Sequence, residues 1–114
     1  MPLKVLFLDD EPLLGENFAD EFSSEAVQVD TFTEPKLAIA HAIKYPPDLI
    51  FLDYRLPGTT GDEVAQLMAP GIPKYLLTGD LSVKTKYAFT AIFTKPVDPK
   101  NILTVLSQVI AKKK

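Results

Sequence analysis

Asp9 and Asp10 close the apolar run Val5–Leu8, and Asp53 closes a second run, Leu49–Leu52. Aspartate is depleted inside strands, so a carboxylate placed where each hydrophobic run stops marks a strand end. If the two runs are parallel neighbours, the three carboxylates converge on one mouth. The chemistry on offer there is a cation site with a reactive side chain in it. The chain has no cysteine, which excludes a disulfide framework and a zinc site built on thiolates. Any bound metal is held by oxygen.

The rest of the sequence supplies elements to carry these groups. Short apolar runs alternate with longer periodic ones, the pattern of βα units feeding a parallel sheet. Lys4–Leu8 reads as a strand, followed by Pro12 and a helix with Leu14, Phe18 and Phe22 at a spacing of four. Val27–Phe32 alternates as a half-exposed outer strand. Thr33-Glu34-Pro35 then offers an N-cap and an early proline to a helix bearing Leu37, Ile39, Ala40 and Ile43. Leu49–Leu52 is apolar on both faces and belongs in mid-sheet. Arg55–Gly61 is turn-rich, and Val64, Leu67 and Met68 share a helical face that Pro70-Gly71-Ile72-Pro73 terminates. Tyr75–Thr78 and Ala91–Thr94 read as the fourth and fifth strands, and Asp98-Pro99 caps a last helix with Ile102, Leu103, Leu106, Val109 and Ile110. The expectation is one doubly wound α/β domain over residues 1–114, with helices on both faces of a five-stranded parallel sheet. Ligands of such sheets bind beyond the carboxyl ends of the strands. Asp9, Asp10, Asp53, Thr78 and Lys95 all stand at or just past such an end.

With 46% hydrophobic and 24% charged residues, the 114-residue chain can bury one core but not two. Its net charge of -3 and pI near 5.0 argue against a general nucleic-acid binder, whose phosphate contacts need clustered Lys and Arg. The basic run Lys112–Lys114 suits the negative end of a terminal helix. No secretory leader and no apolar run of membrane-spanning length is legible, so a cytoplasmic chain without membrane or nucleic-acid partners is expected. His41, the lone histidine, lies in an apolar helical stretch and is expected to be structural or surface-exposed.

Leu8-Asp9-Asp10-Glu11, Asp53 with Leu56-Pro57-Gly58 and Gly61 behind it, Thr78, and Lys95-Pro96 resemble the motif positions of the receiver domain of two-component response regulators, in order and over the whole chain. Singly each piece is ordinary: an N-cap aspartate, a strand-end hydroxyl, a surface lysine. Together at successive strand ends they form one constellation. The resemblance implies a flavodoxin-like sheet of order 2-1-3-4-5, as in chemotaxis receivers, and phosphorylation of Asp53 by a histidine kinase or phosphotransfer protein. A carboxylate can attack a phosphoryl group, but two anionic groups must first be brought together, a task suited to Mg2+. On this reading Asp10, Asp53 and the backbone carbonyl of Arg55 are direct magnesium ligands, and Asp9 holds a metal-bound water. Lys95 supplies positive charge to the phosphoryl oxygens, and Thr78 donates its hydroxyl to the new group. One charge-assisted hydrogen bond is worth roughly 1.5 to 3 kcal/mol, enough for a switch between states close in energy. The implied protein is a phosphoacceptor signalling domain, monomeric or weakly dimeric, that reports to a downstream partner and acts as an enzyme only on its own phosphorylation and dephosphorylation.

Two departures from that family stand out. Gly79–Thr90 leaves twelve residues for the fourth crossover, near the minimum for such a connection. A stunted helix around Ser82–Ala88, or an irregular segment, is expected. Three positions before Lys95, where the family typically carries Tyr or Phe, stands Ile92, with Phe93 on the opposite face. Coupling of Thr78 to an aromatic side chain is therefore expected to be absent or rerouted through Tyr87 or Phe89. Arg55 and Asp80 resemble the variable pair that tunes dephosphorylation; as a plain exposed ion pair they would add little. Three rivals remain: an unphosphorylated pseudo-receiver adaptor, a haloacid-dehalogenase-like phosphatase and a flavin-binding domain. The phosphatase needs Asp-x-Asp, whereas Tyr54-Arg55 follows Asp53, and three carboxylates at the mouth would repel a flavin phosphate.

Overall fold

The computed structural model describes residues 2–80 and 82–113. Along the chain run β1 (Leu3–Leu8), α1 (Pro12–Phe22), β2 (Val27–Phe32), α2 (Pro35–Lys44), β3 (Leu49–Asp53), β4 (Arg55–Leu56), β5 (Thr59–Thr60), α3 (Gly61–Gln66), β6 (Lys74–Thr78), β7 (Ala91–Thr94) and α4 (Pro99–Lys113). Five of the strands make one parallel sheet in the order β2-β1-β3-β6-β7. This is the expected 2-1-3-4-5 once the separate antiparallel hairpin β4-β5 is set aside. The hairpin turns through Gly58, whose φ of 70° lies in the left-handed region.

Alternation along the buried central strands divides their side chains between two cores. Phe7, Phe51 and Leu77 meet Phe18 of α1 with Ile102 and Leu106 of α4. Leu8, Ile50 and Leu76 meet Ala38 and Ala42 of α2 with Val64 of α3. On the first face a row of rings crosses the sheet: Phe18 lies 5.2 Å from Phe51, Phe51 5.3 Å from Tyr75, and Tyr75 6.4 Å from Phe93. Phe93 thus points away from the side of Ile92, as alternation requires, and Ile92 is left 50% exposed.

The helices depart from their expected inward faces at several positions. In α2 the buried residues are Pro35, Ala38 and Ala42, whereas Leu37 and Ile43 are exposed. The small side chains let the helix lie close on the sheet, where the larger ones would hold it off. Leu67, the C-cap of the short α3, and Leu103 of α4 are also exposed. His41 packs between Phe32 and Tyr45 and sits 3.4 Å from Asp30, a structural setting. In the last turn of α4, Lys113 pairs with Asp48 at 3.1 Å; Lys114, the end of the basic run, lies outside the described residues.

The stunted fourth helix does not form among the described residues, and the irregular segment expected as its alternative is found instead. Among the described residues between β6 and β7 no helix is found, so four helices flank the sheet. Val83, Thr85, Tyr87 and Phe89 are half-buried while Ser82, Lys84, Lys86 and Ala88 are exposed, the every-second-residue pattern of an extended strap. Val83, Tyr87 and Phe89 pack on the core shared by α2 and α3. The physical reason is reach: extended chain rises about 3.3 Å per residue against 1.5 Å in a helix. So few residues return to the start of the next parallel strand only when extended.

Candidate functional site at the carboxyl edge of the sheet

The ends of β1, β3, β6 and β7 bring all of the expected residues to one edge. The sheet ladder continues one step past two of these strands: Asp9 N–H donates to the Phe32 carbonyl at 3.1 Å, and Lys95 N–H donates to the Thr78 carbonyl at 2.8 Å. One carboxylate oxygen from each of Asp9, Asp10 and Asp53 lies within 4.8 Å of the others. Lys95 Nζ stands 2.6 Å from Asp9 Oδ2 and 3.4 Å from Asp53 Oδ2. The peptide that follows it, Lys95–Pro96, is cis.

The three carboxylates are not equivalent. Asp9 is buried, and both its oxygens are engaged: Oδ1 accepts from Glu11 N–H at 3.0 Å and Oδ2 from Lys95. Asp53 is half-buried, with Oδ1 accepting from Tyr54 N–H at 2.8 Å. Asp10 is exposed, and its carboxylate accepts no hydrogen bond from the described residues. Burial, and then the charge of Asp9, push the Asp53 carboxyl above the ordinary carboxylate value, against Lys95 and the Tyr54 N–H, which lower it. Burial by itself lowers the Lys95 ammonium, but its hydrogen bond to Asp9 and the charges of Asp53 and Asp9 outweigh it and leave its pKa raised. A hard donor set of carboxylate oxygens beside a firmly charged lysine fits a small divalent cation.

Thr78 is buried at the end of β6, and its hydroxyl oxygen accepts from Asp80 N–H at 3.1 Å. The Arg55–Asp80 pair is formed at 2.6 Å and bridges the turn after β3 to the turn after β6. The Ser82 hydroxyl and backbone N–H, followed by Arg55, hold the Asp80 carboxyl down at about 2. Behind Asp53 the chain passes so close that a Cβ on Gly61 would fall 2.6 Å from the Asp53 carbonyl oxygen. Gly61 N–H in turn donates to the Tyr54 carbonyl at 2.7 Å, which fixes the turn that carries Arg55.

Two residues around the site went unread in the sequence. Asp62 is 6% exposed; its Oδ2 accepts from Lys86 N–H at 2.7 Å, and its Oδ1 is buried without a partner among the described residues. Lys74 is 1% exposed and donates to the Ala69 and Ile72 carbonyls at 2.6 and 3.1 Å and to the Tyr87 hydroxyl at 3.0 Å. A lysine opening an otherwise apolar strand was the visible signal for the second. Asp62 looked like an ordinary acid in the first turn of a helix.

Known proteins are similar to most of the chain. The chain is 34% identical over 90 residues to the probable transcriptional regulatory protein TcrX of Mycobacterium tuberculosis, covering 76% of this chain and 38% of that protein. Identity to the transcriptional regulatory protein BtsR of Escherichia coli K12 is 29% over 117 residues, covering 94% of this chain and 48% of the relative. The chain therefore spans less than half the length of these relatives. The chemotaxis response regulator CheY4 of Vibrio cholerae superposes with a TM-score of 0.81 at 25% identity, over 96% of this chain and 99% of the other. A signal receiver domain of an HD domain-containing protein from Pseudomonas fluorescens gives 0.88 at 18% identity, over 98% and 97% of the two chains. The family model of the response regulator receiver domain matches residues 5–107, from β1 well into α4, and by that match the chain belongs to the receiver domains of two-component signalling.

Proposed function

We propose that Asp53 is the phosphoacceptor of a magnesium-dependent switch, a reading carried by the convergence of Asp9, Asp10, Asp53 and Lys95 on one mouth. A carboxylate oxygen of Asp53 attacks the phosphorus of a phosphohistidine on a kinase or phosphotransfer protein. The P–N bond breaks with its electron pair left on the imidazole nitrogen, and the new O–P bond makes an acyl phosphate. Asp10, Asp53 and the Arg55 backbone carbonyl would hold magnesium, which would supply the positive charge that lets two anionic groups meet. Lys95 remains charged and meets the phosphoryl oxygens, while Asp9 fixes its position. The Thr78 hydroxyl, which now accepts from Asp80 N–H, still has its own proton to donate to the new group.

An unphosphorylated adaptor would have no use for this constellation, so that rival is set aside. The domain catalyses only its own phosphorylation and dephosphorylation and passes its state to a downstream partner. Among the described residues no helix is long and apolar enough to cross a membrane, and a cytoplasmic setting suits a kinase-fed receiver. The expectation of no nucleic-acid partner is withdrawn for the whole protein, because the relatives named above are transcriptional regulators. Incubation with Mg2+ and a small-molecule phosphodonor tests the central step by intact mass. One phosphoryl group on the wild type and none on Asp53→Asn is the expected result; no gain, or an equal gain on both, refutes it.

A further inference from the structure

The strap of residues 82–90 is tied down mainly from outside its own sequence. Lys86 N–H donates to Asp62, the Tyr87 hydroxyl accepts from Lys74, and Thr90 N–H donates to the Lys74 carbonyl at 2.8 Å. Among the described residues its one internal backbone bond runs from Phe89 N–H to the Tyr87 carbonyl, at 3.2 Å. A segment with so few bonds of its own follows its tethers. Two routes lead to these tethers from the phosphoacceptor edge. One passes from β3 through Gly61, packed on the Asp53 carbonyl, to Asp62. The other passes from Thr78 to Asp80, just before the strap.

We propose that Asp62 is a positioning residue that clamps the strap closed and releases Lys86 when Asp53 is phosphorylated. The release rests on the reading of Asp53 as phosphoacceptor. A Thr78 hydroxyl drawn towards a phosphoryl group carries Gly79 and Asp80 with it, and among the described residues no helix lies between them and Lys86 to absorb the movement. Asp62 is the tether that gives way, because its second oxygen is buried with no partner among the described residues and gains water when the strap lifts. The open strap presents the backbone on either side of Lys84 and Lys86.

Trypsin cuts after those two lysines, which makes the strap its own reporter. Opening that a single hydrogen bond opposes should make Asp62→Leu cleave there about tenfold faster than the wild type. Asp62→Asn, whose amide oxygen still accepts from Lys86 N–H, should stay near the wild-type rate. Phosphodonor with Mg2+ should speed cleavage of the wild type several-fold and leave Asp62→Leu unchanged. Wild-type protection in folded Asp62→Leu overturns the clamp. Phosphorylated wild type that is cut no faster overturns the release. If Asp53 gains no mass, the phosphoacceptor reading and the release fall together, and the unphosphorylated comparison alone decides the clamp. Should Asp62→Leu not fold, exchange of the Lys86 amide in the wild type decides instead. Protection that is lost on phosphorylation supports the proposal, and free exchange beforehand overturns it.

Discussion

At the scale of single residues, Asp53 carries a charge in a place that disfavours it. Burial first, and the neighbouring Asp9 second, raise its pKa above the ordinary 3.8. The folded state therefore holds the Asp53 proton more tightly than the unfolded chain does, and stability falls as pH rises from about 4 through the raised folded value. Asp53→Asn has no such proton to lose. Without Mg2+ its melting temperature should exceed that of the wild type at neutral pH, and the gap should close as pH falls to about 4; thermal melts across pH check both limbs. Added Mg2+ should narrow the gap from the other side by stabilising only the wild type. In the proposed cycle the place of Arg55 comes after phosphorylation. Its ion pair with Asp80 ties the turn two residues after Asp53 to the turn after Thr78, and if the pair screens the phosphoryl group from water, phosphorylated Arg55→Ala should lose phosphate faster than the wild type in a timed mass measurement. Equal lifetimes would reduce the pair to a surface contact.

Among the elements, the strap and α2 behave least as their sequences suggest. Lys74 reaches Tyr87 from thirteen positions away, and this hydroxyl is the strap's second anchor. Tyr87→Phe keeps the ring packed beside Phe89 but leaves the buried amine with two carbonyl partners. It should cost about 1 kcal/mol in urea unfolding and leave phosphorylation of Asp53 intact. The strands and the five site residues were legible because each apolar run ends where its strand ends, so the chemistry appears in the sequence as punctuation. The inward face of α2 was not, since periodicity favours Leu37 and Ile43, whereas the sheet accepts Ala38 and Ala42. The role of Asp62 was illegible for another reason: its partner is a backbone N–H, which no residue type announces.

For the molecule as a whole, sequence pattern and structure agree on sheet order, on helices packed against both faces and on the carboxyl edge as the place where Asp9, Asp10, Asp53 and Lys95 gather. The shortfall is confined to connections. The β4-β5 hairpin and the strap take their shapes from the distance they must span and from the tethers they meet. That origin bears on the order in which the chain folds. A helical crossover can begin to form from its own neighbouring residues, whereas the strap finds its main partners on α3 and β6. Docking of β7 therefore waits for those elements and proceeds by closing a loop of about a dozen residues. The edge strand joins late and leaves early: amides of β7 should exchange with solvent well before those of β3, and a uniform rate across the sheet would contradict this sequence of events.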